Sequence, residues 1–190
     1  MEGVPQASAD QVVSSLNHPW DIVVSREHNS IFWTESHGDR IVRANLDGSN
    51  VQTILTINDP ESLAIDFTTE RIYWGGIGLQ RANLDGTGVA TLAASGQNVT
   101  GVAVDTTSQR IYFSDHFGER IGRVSASGGA ADFYINGLSA KPLALALDEA
   151  GGLIYWSDQS HNIWRANLAD GTGRIRLYEN IHYSRDMFYR

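Results

Sequence analysis

Cysteine is absent from these 190 residues, so neither a disulfide framework nor a thiolate zinc site can be built. Lysine is nearly absent: Lys141 stands alone, and the arginines gather into no basic stripe. With a formal net charge of -8, nonspecific attraction to nucleic acid or to an anionic membrane is disfavoured. No apolar run approaches the roughly 18 residues of a spanning helix, so this segment is expected to make no membrane contact. Met1 to Gln6 offers neither the basic nor the apolar region of a secretory signal. A Gly-x-Ser-x-Gly elbow, a phosphate-binding glycine loop and a His-Glu-x-x-His pair are all missing, so no catalytic residue, cofactor or metal is assigned. No segment carries a convincing helical stripe.

What is present is a repeat, the feature that decides the fold when it occurs. Ile31-Phe32-Trp33-Thr34-Glu35 is followed by Arg40-Ile41-Val42-Arg43-Ala44-Asn45-Leu46-Asp47-Gly48. Arg71-Ile72-Tyr73-Trp74-Gly75 is followed by Gln80-Arg81-Ala82-Asn83-Leu84-Asp85-Gly86. The third copy has Ile111-Tyr112-Phe113-Ser114-Asp115 and then Arg120-Ile121-Gly122-Arg123-Val124. The fourth has Ile154-Tyr155-Trp156-Ser157-Asp158, then Ile163-Trp164-Arg165-Ala166-Asn167-Leu168, and ends at Asp170-Gly171. Trp33, Trp74, Phe113 and Trp156 are spaced by 41, 39 and 43 residues. A period near 40 holding several short strands is propeller spacing.

Each unit reads as four strands. Strand a is the alternating run before the aromatic pair, at 21–25, 63–66, 102–105 and 144–148. Strand b carries the pair. Strand c is the Ile-x-Arg-Ala run, with Ile41 and Arg43 on one face and Val42 and Ala44 on the other. Strand d follows an Asp-Gly turn, where a tight hairpin needs positive φ. The expected fold is all-β, a propeller with four complete four-stranded blades at about 20–56, 62–93, 101–135 and 143–178. Residues 1–10 read as an extension, 11–16 as a strand d preceding the first unit, and 183–190 as the start of a further blade.

The text Phe32-Trp33-Thr34-Glu35, Tyr73-Trp74-Gly75-Gly76, Tyr112-Phe113-Ser114-Asp115 and Tyr155-Trp156-Ser157-Asp158, with Arg-Ala-Asn-Leu-Asp-Gly downstream, resembles the YWTD repeat. This is the class B repeat of the low-density lipoprotein receptor family, and the resemblance covers about residues 12–180. It implies a six-bladed, extracellular, protein-binding ring in which Trp33, Tyr73, Trp74, Tyr112, Phe113, Asp115, Tyr155, Trp156 and Asp158 are structural. The departures are Gly75-Gly76 in place of Thr-Asp, Ser25 in place of the strand-a aspartate, and the lost Asn-Leu-Asp-Gly text of unit three. Six blades need roughly 240 to 270 residues. The chain therefore reads as a fragment of a longer propeller. The alternatives left open are association with a second copy or another chain, and a tight four-bladed ring.

In a propeller the b–c and d–a loops share one face, and function lives on loops. The b–c loops are read at 35–40, 76–78, 115–120 and 158–162, and the d–a loops include 58–61, 97–98 and 140–142. Candidate partner-binding residues on that face are His37, Asp39, His116, Phe117, Glu119, Lys141, His161 and Asn162, by the chemistry of interface anchors and rims. The partner would be a protein or peptide. The competing reading is a metal-dependent hydrolase or lactonase of propeller type, for which Asp21, Glu61 and Asn98 near the strand-a starts are the candidates. The recurring Arg43, Arg81, Arg123 and Arg165 suggest a structural pairing with an acidic neighbour. Asn98-Val99-Thr100 is an N-glycosylation sequon.

Overall fold

The computed structural model describes residues 11–179, apart from the side chains of residues 94–97. The strands follow one another without an intervening helix among the described residues. The first repeat supplies β1 (Pro19–Ser25), β2 (Ser30–Glu35), β3 (Arg40–Asn45) and β4 (Gln52–Thr56). The second supplies β5 (Leu63–Asp66), β6 (Arg71–Trp74), β7 (Gly76–Asn83) and the first part of β8 (Ala90–Asp105). The third uses the remainder of β8, then β9 (Arg110–Asp115), β10 (Arg120–Ser125) and β11 (Asp132–Ile135). The fourth is β12 (Pro142–Asp148), β13 (Leu153–Asp158), β14 (Ile163–Asn167) and β15 (Ile175–Tyr178). The expected further blade at 183–190 and the extension at 1–10 lie outside the described residues.

Every unit is an antiparallel meander with one register. Trp33 lies opposite Ile22, Trp74 opposite Leu63, Phe113 opposite Val102 and Trp156 opposite Leu145. The aromatic markers thus hold equivalent places in successive blades. Because strand side chains alternate between faces, the two members of each aromatic pair serve different joints. Phe32, Ile41 and Leu55 pack on Leu63, Ile65, Ile72 and Trp74 of the next blade. Tyr73, Leu79 and Leu92 pack on Val102, Ile111 and Phe113. Tyr112, Ile121 and Ile135 pack on Leu145, Ile154 and Trp156. The core is therefore a series of layers between sheets, each fully buried aromatic contributing roughly 1.5–3 kcal/mol.

The turns explain the recurring aspartates. Asp66 accepts from the amides of Thr68 and Thr69 and from the Thr69 hydroxyl, and Asp105 does the same with Thr107 and Ser108. Ser25, the departure in the first unit, reaches the same end by accepting from the His28 amide. At the outer turns Asp47, Asp85 and Asp170 each accept from the amide and hydroxyl of the residue two positions on.

The third and fourth motif positions also have mechanical roles. The Thr34 hydroxyl accepts from the Asp21 amide of its own blade and donates to the Glu61 carbonyl of the next at 2.6 Å. The Ser114 hydroxyl likewise donates to the Leu143 carbonyl across the third joint. Unit two has Gly75 here and needs no hydroxyl, because the backbones meet directly. Gly76 pairs with Val99 and Ile77 with Asn98. Two expectations are corrected at this seam. Residues 76–78 belong to β7 rather than to a b–c loop, and residues 97–98 lie inside β8 rather than in a d–a loop. Blades two and three consequently share one seven-stranded sheet. Residues 11–16, expected as a strand, form none, although Val13 packs on the Trp33, Val42 and Ala44 face.

The arginine column is a joint device. Arg81 donates to the Ala126 carbonyl and Arg123 to the Ala169 carbonyl, each in the outer turn of the following blade. Among the described residues an acidic neighbour is involved only for Arg123, which also pairs with Asp132 at 2.9 Å. Arg43 stays within its own blade, bonded to Ser30.

Candidate functional site

The b–c turns of blades one and three are built alike. The motif acid opens the turn, accepting the Gly38 amide on the Glu35 carbonyl and the Gly118 amide on the Asp115 carboxylate. The residue four positions later closes it with positive φ, and the next residue is an arginine that folds back. Glu35 receives Arg40 at 2.8 Å and Asp115 receives Arg120 at 2.7 Å. Asp39 and Glu119 are the closing residues, with φ of 51° and 50°. The main chain of these residues is used as well. The Asp39 carbonyl accepts from Ile57 and the Glu119 carbonyl from Leu138, and the Asp39 carboxylate accepts from the Asp59 amide. In blade four Asp158 accepts from the Asn162 amide and side chain and from the Trp164 indole. Asp39, Glu119 and Asn162 therefore hold turn geometry together, whatever they also present to a partner.

Glu35 is longer than the aspartate of the motif and uses the added reach. Its carboxylate accepts from the Trp33 indole, the Arg40 guanidinium and the Asn17 amide. Burial works to raise its pKa, but these hydrogen bonds outweigh it and hold the group below the ordinary glutamate value. His37, on the same turn, is exposed and stacks on His18 with ring centroids 4.0 Å apart.

Backbone bonds and ring contacts connect Ile77, Asn98, His116, Phe117 and Lys141 in turn. Asn98 pairs with Ile77 on one side, and its carbonyl accepts from the His116 amide on the other. Phe117 stands beside His116, edge to face at 5.3 Å, and the Lys141 ammonium lies 5.2 Å from the Phe117 ring. Desolvation, reinforced by Lys141, keeps the His116 pKa below its ordinary value, against the pull of the Pro142 carbonyl and Asp115. Phe117 is 65% exposed and Ile77 is 61% exposed. Ile77 was missed by sequence reasoning. The signal available was an apolar residue between Gly76 and Gly78, both of positive φ. His161, also of positive φ, is exposed on the blade-four turn. The structure thus brings His116, Phe117 and Lys141 together, while His37 and His161 sit on other blades.

Of the hydrolase candidates, Glu61 and Asn98 are in contact with each other, and Asp21 serves backbone amides. Asp21 accepts from the Leu63 amide of the next blade and from the Ile22 amide. Asn98 donates to Glu61 at 3.4 Å. Among the described residues no group of three or more His, Cys, Asp or Glu side chains is placed to hold a metal ion.

Meander sheets joined face to face through aromatic layers, with turns gathered at one end, define a β-propeller. Residues 29–67 match the low-density lipoprotein receptor repeat class B. The chain is 30% identical to the vitellogenin receptor Yl of Drosophila melanogaster, covering 90% of this chain and 9% of that protein. It is 27% identical to a low-density lipoprotein receptor-related protein 1 of Pyricularia oryzae, covering 75% of this chain and 58% of that one. Its fold matches a chain in the crystal structure of a nidogen/laminin complex with a TM-score of 0.77 and 21% identity, over 88% of this chain and 65% of that chain. The chain thus carries a class B, YWTD-type repeat at residues 29–67 and has the β-propeller fold. It spans less than two thirds of the length of each of these proteins.

Proposed function

We propose that the chain is a noncatalytic binding scaffold that presents its b–c and d–a face to a protein or peptide. The observation that carries this reading is the pair of large exposed apolar side chains, Ile77 at the start of β7 and Phe117 on the b–c turn of blade three, on either side of Asn98. Exposed apolar groups held by stiff backbone lose little entropy on binding and suit an interface centre. Lys141, His116 and Glu119 supply a polar rim. Receptor-related relatives and a neighbour solved in a protein complex support the same class of function.

The test is selection of a displayed random-peptide library on the folded chain, followed by binding of the selected peptides to variants. Phe117→Ala combined with Ile77→Ser is expected to weaken binding at least about tenfold, a typical loss for central anchors, with unchanged circular dichroism. A change at the opposite end, Val51→Ser, is expected to leave binding intact. Selected peptides that bind the face variant and the parent equally would overturn the proposal.

A further inference from the structure

The arginine column breaks at its first member, and the break leaves a cleft. Arg43, Arg81 and Arg123 hold one register position, opposite Phe32, Tyr73 and Tyr112. Arg81 and Arg123 reach across their joints to the carbonyl just before the outer turn of the next blade, at Ala126 and Ala169. Leu84, just before Asp85, carries the equivalent carbonyl for Arg43. Arg43 instead donates through Nε and Nη2 to the Ser30 hydroxyl, at 3.2 and 2.9 Å. The cause is the residue at the start of the second strand of each blade. Ser30 lies opposite Ser25, as Arg71 lies opposite Asp66 and Arg110 opposite Asp105. An arginine at that place offers no acceptor and repels a second guanidinium, so Arg81 and Arg123 turn to the next blade. A serine accepts, so Arg43 stays at home.

The joint between blades one and two is consequently open at this point. A cleft of about 380 Å³ lies there, and Arg43, Glu70, Arg71, Leu84 and Asp85 are among the residues that line it. Arg43 and Arg71 are both half-buried. Among the described residues neither forms an ion pair, and Arg71 donates no side-chain hydrogen bond. The two acids of the cleft leave them so. The Asp85 carboxylate accepts from the Thr87 amide and hydroxyl, and Glu70 is exposed, where solvent and salt screen its charge. The Arg43 guanidinium lies 5.5 Å from the Phe32 ring centre, which restricts its plane. A guanidinium presents a rigid fork of N–H donors matched to oxyanions. Arg71 has its whole fork available, and Arg43 has Nη1.

We propose that this cleft binds a tetrahedral oxyanion, a phosphate or sulfate group, between Arg43 and Arg71. A tetrahedral group has oxygens enough to meet both forks at once. It stands in for the carbonyl that closes the next two joints, so it links blade one to blade two and stabilises that joint as it binds. Glu70 and Arg71 follow the a–b turn, and Leu84 and Asp85 open the c–d turn. Both turns lie at the end of the blade opposite the b–c turns, so an anion here leaves the b–c face free.

Titration of the folded chain with inorganic phosphate, and in parallel with sulfate, tests this at fixed ionic strength. The readout is two-dimensional NMR of backbone amides and arginine side chains. Two charge-assisted contacts in an open cleft correspond to a Kd of about 1 mM. Saturable shifts are expected at Arg43, Arg71 and Leu84, with Arg81 and Arg123 unmoved. The tighter of the two anions identifies the group. Arg43→Gln and Arg71→Gln are each expected to weaken binding at least about tenfold, with unchanged circular dichroism. Arg110→Gln, at the place of Arg71 in blade three, is expected to leave binding intact. The shifts of the parent locate the site without any substitution. Shifts that fail to saturate with either anion, shifts centred on other arginines, or Arg43 and Arg71 variants that bind as tightly as the parent would each overturn the proposal.

Discussion

Restoring the family's own threonine at Gly75 is expected to damage this protein. A Cβ there would lie 2.1 Å from the Val99 carbonyl and 2.5 Å from the Ser62 hydroxyl. The first contact is with backbone, so relief requires β8 to move away from blade two. That movement strains a packed region, at about 1–3 kcal/mol. It also opens the pairings of Gly76 with Val99 and Ile77 with Asn98, at about 0.5–1.5 kcal/mol for each hydrogen bond lost. Together these come to about 4 kcal/mol for Gly75→Thr. At 2–4 °C per kcal/mol for a chain of this size, the thermal midpoint falls by about 8–16 °C. Gly75→Ala introduces the same Cβ and is expected to account for most of the loss. The assay is thermal unfolding by circular dichroism, with hydrogen exchange at the Ile77 and Val99 amides locating the damage. A midpoint within about 2 °C of the parent would show that blades two and three are not joined backbone to backbone, and the explanation of this departure would fail.

The remaining predictions use the same joints. Arg123→Ala removes the bond to the Ala169 carbonyl and the pair with Asp132, and is expected to cost about 1–3 kcal/mol in urea unfolding. The Asp66 carboxyl is pushed up by burial but held below the ordinary aspartate value by hydrogen bonds from Gln109, Thr69 and Thr68. Its contribution is therefore complete above the unfolded value of about 4 and is lost as pH falls through the folded value. Asp66→Asn is expected to lower stability at neutral pH and to flatten the acid limb of a stability–pH curve. Asn98 is half-buried in β8, with its amide nitrogen directed at Glu61. A secreted eukaryotic preparation is expected to show no glycan mass at that sequon, and near-complete occupancy would contradict the pairing at the seam.

Four copies of one pattern made the meander legible before any coordinates. The aromatic markers, the Asp-Gly turns and the alternation of Ile41 with Val42 are local features, and local spacing dictates them. The seam escaped because its cause is not local. The stretch 76–78 reads as a loop by composition, and only the approach of Val99, in another blade, turns it into strand. The acceptors of Arg81 and Arg123 escaped for a related reason. They are carbonyls, which every residue carries and no residue type announces.

In the candidate site, several polar turn residues also have work to do in the fold. The text Glu35-Ser36-His37-Gly38-Asp39-Arg40 recurs as Asp115-His116-Phe117-Gly118-Glu119-Arg120. A residue type repeated at one position in two blades is constrained by what the blades share, which is the fold. Asp39 and Glu119 fall in that class, as do the capping acids and the returning arginines. The positions where the two turns differ are free of that constraint. His37 against Phe117 is such a difference, and Ile77 has no counterpart in either turn. Partner recognition on a repeat scaffold is carried by what the repeats do not have in common, so specificity should reside at Ile77, Phe117 and Lys141 rather than in the conserved-looking acids around them.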